Sequence, residues 1–191
     1  MYTQPRYLPA GDQALVVELG NAINPETNRK VRDLLLTIER RKIKGVMDLM
    51  PSYRSLLVYY DPMVISITKL TDDLKALETA HLDENVSEPK LVYIPTLYGG
   101  DMGPDLEFVA QHNSLTPQEV VNIHSSIDYL VYMLGFSPGF PLLGGMSERI
   151  GTPRLETPRT AIPSGSVSLA EKQTGVYPTE TPGGWRLIGN T

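Results

Sequence analysis

Apolar and polar positions alternate with two different periods in the first half of the chain. Ala14-Leu15-Val16-Val17 is a short apolar run after the Gly11-Asp12 turn and predicts a strand. Asn24-Pro25 reads as a helix start, with Asn as N-cap and Pro at the first helical position. Val31, Leu34, Leu35 and Ile38 follow at helical spacing and share one face. The basic run Arg40-Arg41-Lys42, with Lys44 beyond it, falls at the end of that helix, where cations complement the dipole. Val46 to Met50 and Ser55 to Tyr60 read as two strands, and in the second Leu56, Val58 and Tyr60 point one way. Ile67, Leu70, Leu74 and Leu77 mark a second helix. The polar stretch His81 to Pro89 reads as a linker, and Lys90 to Pro95 as a further strand. The resulting β-α-β-β-α order predicts a small two-layer α+β domain over residues 1–86, with helices on one face.

The second half has a different texture. Asp105 to His112 reads as a short helix, and Thr116-Pro117-Gln118-Glu119 is a capping box that starts another, running to about Ser125. Tyr129 to Leu134 is apolar throughout, which predicts a strand buried on both faces. Beyond it glycine and proline dominate, and ten of the 16 glycines lie past Leu130. Short apolar runs between such turns, including Ser166 to Ala170 and Trp185 to Ile188, predict an all-β barrel or sandwich over residues 87–191. The domain boundary is expected near Glu84 to Glu88.

Composition narrows the function. A chain of 191 residues with 41% hydrophobic and 20% charged residues is that of a globular protein. A net charge of -5 argues against nucleic acid as the main partner, because phosphate binding needs a basic surface. With no cysteine there is no disulfide and no thiolate nucleophile or Cys-based metal site. Met1 to Pro9 lacks the apolar core of a signal peptide, and no window approaches the ~20 apolar residues of a membrane span, so the cytoplasm is the expected location.

Nucleotide motifs are absent: there is neither a P-loop nor a G-x-G-x-x-G run. Gly99-Gly100-Asp101-Met102-Gly103 reads as a turn before a helix, or as backbone presented to an anion. His81, His112 and His124 fit no metal spacing, and no bound metal or prosthetic group is expected. His124 is either a general base or substrate ligand, or a hydrogen-bonded structural histidine. Thr152-Pro153-Arg154 and Thr157-Pro158-Arg159 form a doubled tripeptide. Their arginines suit a carboxylate or phosphate, although five residues of extended chain would send them to opposite sides unless the segment turns. The paired glycines beside Trp185, the only tryptophan, wall a pocket or form a tight hairpin anchored by the indole.

These segments carry a resemblance. GFSPGFPLLGG at Gly135 to Gly145 resembles the GFxPGFxYL signature of the allophanate hydrolase subunit 1 family, also called the carboxyltransferase C/D domain. TPRLETPRTAIPSGSV at Thr152 to Val167 and QTGVYPTETPGGWRLIG at Gln173 to Gly189 match it as well. YGGDMGPDLEFVA at Tyr98 to Ala110 and EVVNIHS at Glu119 to Ser125 also resemble it. The resemblance implies an α+β N-terminal domain and a cyclophilin-like β-barrel. It also implies a partner, the allophanate hydrolase subunit 2 protein or its 5-oxoprolinase counterpart, the C subunit. The activity it implies first is ATP-dependent opening of 5-oxoproline to glutamate, with ATP used together with the partner subunits. Carboxyl transfer of the urea carboxylase type and inhibition of a sensor histidine kinase are the alternatives. For a small-molecule substrate the expected binding residues are Arg154, Arg159, Gln173, Thr174, Tyr177, Trp185, Phe140 and His124. Relatives carry arginine where Asn190 stands and continue past Thr191 with further strands. The barrel is therefore expected to lack its closing strands and to leave an unpaired edge that invites association.

Overall fold

The computed structural model describes residues 2, 4–79 and 89–191, which form a mixed α/β protein with antiparallel sheets. The chain divides into two compact units, Met1–Lys90 and Leu91–Thr191. The boundary expected near Glu84 to Glu88 falls outside the described residues.

In the first unit, strands β1 (Arg6–Pro9), β2 (Ala14–Glu18), β3 (Val46–Pro51) and β4 (Ser55–Tyr60) form one sheet in the order β1-β2-β4-β3. Helix α1 (Pro25–Arg41) starts where the Asn24 side chain accepts a hydrogen bond from the Thr27 N–H. It ends at Lys42, whose left-handed backbone lets its N–H reach the Ile38 carbonyl. Helix α2 spans Ile67–Thr79. Leu15 and Val17 of β2 lie opposite Val58 and Leu56 of β4. That face packs under Val31, Leu34 and Ile38 of α1 and Leu70 and Leu74 of α2. Each such buried leucine contributes roughly 2 kcal/mol. The first strand, absent from the sequence expectation, is short and ends in proline. It is held by its ladder to β2 and by the Arg6–Glu18 ion pair at 3.6 Å.

The second unit carries a six-stranded sheet. It is built from β5 (Leu97–Tyr98), β6 (Leu130–Leu134), β7 (Pro141–Gly144), β9 (Ser166–Ala170), β10 (Gln173–Val176) and β12 (Arg186–Asn190), in the order β5-β12-β9-β10-β7-β6. A separate ribbon pairs β8 (Arg159–Ile162) with β11 (Thr181–Gly183). Helices α3 (Leu106–His112) and α4 (Pro117–Ser125) cover one face, and the Thr116–Glu119 capping box is formed. Period-2 alternation sorts the central strands. Val167, Leu169, Val176 and Ile188 face the helices, whereas Ala170 and Leu187 face an aromatic cluster on the other side.

Three expectations fail here. No closed barrel forms among the described residues: β5 and β6 end the sheet and do not pair with each other. Tyr129 to Leu134 is not buried on both faces. Its strand β6 is an edge, and Val131 and Leu134 are exposed while Tyr132 alone is buried. Lys90 to Pro95 is not a strand. Leu91, Val92, Tyr93 and Ile94 are exposed and lie outside any strand, and the ladder to β12 begins only at Leu97. In both apolar runs, hydrophobicity alone did not reveal whether a second layer exists to cover them.

Candidate functional site

The sequence-predicted residues fall on both faces of the β9–β10 hairpin. Thr174 lies opposite Leu169 and shares the helix side with it, while Gln173 and Gly175 lie opposite Ala170 and Ser168 on the aromatic side. His124 and Thr174 are therefore separated from the other candidates by the sheet itself.

On the helix side the two residues form a buried polar chain. Tyr98 Oη lies 2.8 Å from His124 Nδ1, and His124 Nε2 lies 2.8 Å from Thr174 Oγ1. Thr174 Oγ1 donates its only proton to the Ser168 carbonyl at 2.9 Å. The hydroxyl must then accept from the ring, which places the imidazole proton on Nε2 and leaves Nδ1 to accept from Tyr98. Tyr129 Oη donates to the His124 carbonyl at 2.7 Å. Burial lowers the His124 pKa from 6.5 to about 4, so the ring is neutral at pH 7. Burial also raises Tyr98 and Tyr129, which stay protonated as the chain requires. Both ring nitrogens of His124 are thus hydrogen-bonded within the fold.

On the aromatic side Phe140, Tyr177 and Trp185 form one buried group. The Phe140 ring meets Tyr177 at 4.9 Å and Trp185 at 5.6 Å, both edge to face. Glycine lets backbone approach this group closely. A Cβ on Gly183 would lie 2.5 Å from Tyr177 Oη, and one on Gly175 2.8 Å from Phe140 Cζ. The neighbouring loop holds Phe136 at φ 70 with its ring 71% exposed and 5.6 Å from Phe140. A bulky residue in that region is strained.

Arg154 lies on this side over Trp185 and Arg159 stands opposite Gly183, whereas Arg186 lies against Phe108 of α3. The chain bends at Glu156 and Thr157, between Arg154 and Arg159. Arg154 is exposed and its Cζ sits 5.8 Å from the Trp185 ring centroid. Burial raises the Tyr177 pKa, and the charges of Arg154 and Arg159 oppose that rise. Arg159 Nη2 donates to Asp105 Oδ1 at 3.0 Å, and Nη1 lies 2.9 Å from Oδ2. Arg186 Nη1 is 3.9 Å from the same carboxylate, its Nε donates to the Pro153 carbonyl, and its guanidinium covers the Phe108 ring at 3.8 Å. Two arginines thus meet one carboxylate, and the excess positive charge suits an anion.

Asp105 and Arg186 escaped the sequence reading. Asp105 reads as the first residue of a short helix, and nothing in the local pattern marks a carboxylate used elsewhere. Arg186 looks like an ordinary polar position beside Trp185. Among the described residues no group of three or more His, Asp or Glu is placed to hold a metal ion, and no helix is long and apolar enough to cross a membrane.

A two-layer α+β unit followed by a Gly/Pro-rich β unit has counterparts among known proteins. The family described as "Carboxyltransferase domain, subdomain C and D" matches residues 5–191, and the chain belongs to it. The chain is 44% identical over 191 residues to the B subunit of 5-oxoprolinase from Bacillus subtilis, covering 95% of this chain and 80% of that protein. It is 37% identical to the corresponding B subunit from Escherichia coli O157:H7, with 95% and 82% covered. The crystal structure of TTHA0988 superposes with a TM-score of 0.82 at 35% identity, over 93% of this chain and 35% of that one. The chain thus spans about a third of the length of that solved protein.

Proposed function

We propose that this chain works as the B subunit of an ATP-dependent 5-oxoprolinase, together with the C subunit as its partner. The observation that supports it most directly is that Arg154 lies over the Trp185 ring and Arg159 stands opposite Gly183, where a Cβ would meet the Tyr177 hydroxyl, along the buried Phe140–Trp185 group. 5-Oxoproline is a small ring with one carboxylate. A guanidinium matches the carboxylate as a planar fork, and an apolar wall matches the ring. In this reading Gln173, on the aromatic side of β10, serves the lactam. When bound, ATP supplies the phosphoryl group that activates the lactam carbonyl. Within this chain the arginines are the groups whose charge suits such a phosphoryl. In this reading residues 1–86 are an α+β domain, and residues 87–191 carry an open form of a cyclophilin-like fold.

The test is co-expression with the partner subunits and an assay of 5-oxoproline-dependent ATP hydrolysis. Arg154→Ala and Arg159→Ala should each lower turnover by about a hundredfold while the complex still assembles. Turnover at the unmodified rate in both variants defeats the assignment.

A further inference from the structure

We infer that Asp105 is the positioning residue of this site: it holds the Arg159 guanidinium in one orientation, ready for an anionic ligand. The inference rests on the functional reading above for the identity of that ligand, but not for the geometry.

Asp105 occupies the N-cap position of α3, yet its side chain caps nothing in that helix. An aspartate there ordinarily accepts from the first-turn N–H groups, and giving this up costs a helix roughly 1 kcal/mol. The carboxylate is turned instead toward β12 and β8. Strand β5 pairs with β12 only at Gly189 and Asn190, so the β12 edge would be bare at Leu187. Asp105 fills that gap twice. Its Oδ2 accepts the Leu187 N–H at 2.7 Å, and its own N–H donates to the Leu187 carbonyl at 2.9 Å. The carboxylate is thereby fixed to the sheet by backbone bonds before it meets any cation.

Arg159 then meets a fixed, buried anion: its Nη2 donates to Asp105 Oδ1, and its buried Nη1 lies 2.9 Å from Oδ2 as an ion-pair contact without hydrogen-bond geometry. A guanidinium has five N–H donors, and this contact uses one of them in a hydrogen bond. The side chain is 29% exposed, so part of it faces solvent. Arg159 also begins β8 opposite Gly183, beside the glycine pair that precedes Trp185. A long side chain that would otherwise sample many rotamers is so held near Tyr177 and the aromatic wall. Orientation of this kind is worth large factors in rate, and small misplacements cost about a hundredfold.

A double-mutant cycle decides the matter. Asp105→Asn keeps an oxygen for the Leu187 N–H and removes the charge that aligns Arg159. In the complex with its partner subunits, Asp105→Asn should lower kcat/KM for 5-oxoproline about a hundredfold. In an Arg159→Ala background the same change should have almost no further effect, because the residue it acts through is gone. If the two losses multiply, Asp105 acts independently and the inference is overturned. A second readout needs no substrate. In the full chain the Arg159 Nη–H resonances, identified by their loss in Arg159→Ala, should exchange slowly and become fast in Asp105→Asn. Unchanged resonances overturn the inference. If the unmodified complex does not consume 5-oxoproline, the functional reading fails, and the guanidinium resonances alone decide the positioning.

Discussion

His124 makes the stability of the protein depend on pH in a calculable way. In the fold its ring accepts from Tyr98 at Nδ1 and donates to Thr174 from Nε2. Protonation would place a donor on Nδ1 facing the Tyr98 hydroxyl, and would put a charge where burial penalises it. The folded pKa is about 4 against an ordinary 6.5. Above pH 6.5 the ring is neutral in both folded and unfolded chains, and the stability contribution is fully present. Between 6.5 and about 4 the unfolded chain takes up a proton that the folded one refuses, so stability falls as pH falls. The whole gap corresponds to roughly 3 kcal/mol, of which about 2 kcal/mol is lost by pH 5. Urea unfolding of the unmodified protein and of His124→Gln at pH 8 and pH 5 separates this effect from other titrations. The variant should be less stable at pH 8 because the buried polar groups around it lose partners, yet should lose about 2 kcal/mol less than the unmodified protein on going to pH 5. The His124 ring resonances should also stay unshifted down to pH 5. Equal pH dependence of the two proteins, or a His124 titration near 6.5, would refute the reasoning.

Two further changes probe the second unit. A Cβ on Gly103 would lie 2.1 Å from the Ile188 carbonyl oxygen, a backbone atom that cannot swing away. Gly103→Ala should therefore cost about 3 kcal/mol, read as a lower thermal midpoint. Phe140 is 1% exposed and touches both Tyr177 and Trp185. Phe140→Ala should cost roughly 3–5 kcal/mol and red-shift the emission of the sole tryptophan, and a cost below about 1 kcal/mol would show that the cluster collapses without penalty.

Elements whose signals are local were legible in the chain before any fold was known. Asn24-Pro25 and Thr116 to Glu119 start helices because the cap, the fixed proline φ and the first-turn acid act within one turn of chain. Leu56, Val58 and Tyr60 share a buried face because alternation is a property of the strand itself. Long motifs around Gly135, Thr152 and Gln173 also pointed to the family to which the chain belongs. The side of the sheet that each candidate occupies came from the three-dimensional arrangement alone. Thr174 and Gln173 are neighbours in sequence, yet one closes a buried histidine chain and the other faces the aromatic group. The same holds for apolar runs: Tyr129 to Leu134 and Lys90 to Pro95 read as strands, and each lacks the covering layer that would bury it. Asp105 is the sharpest case. It reads as the start of a short helix, but its carboxylate bonds the Leu187 N–H and Arg159, which lie 82 and 54 residues away. Pairing between such distant residues depends on sheet order and register, which no local pattern encodes.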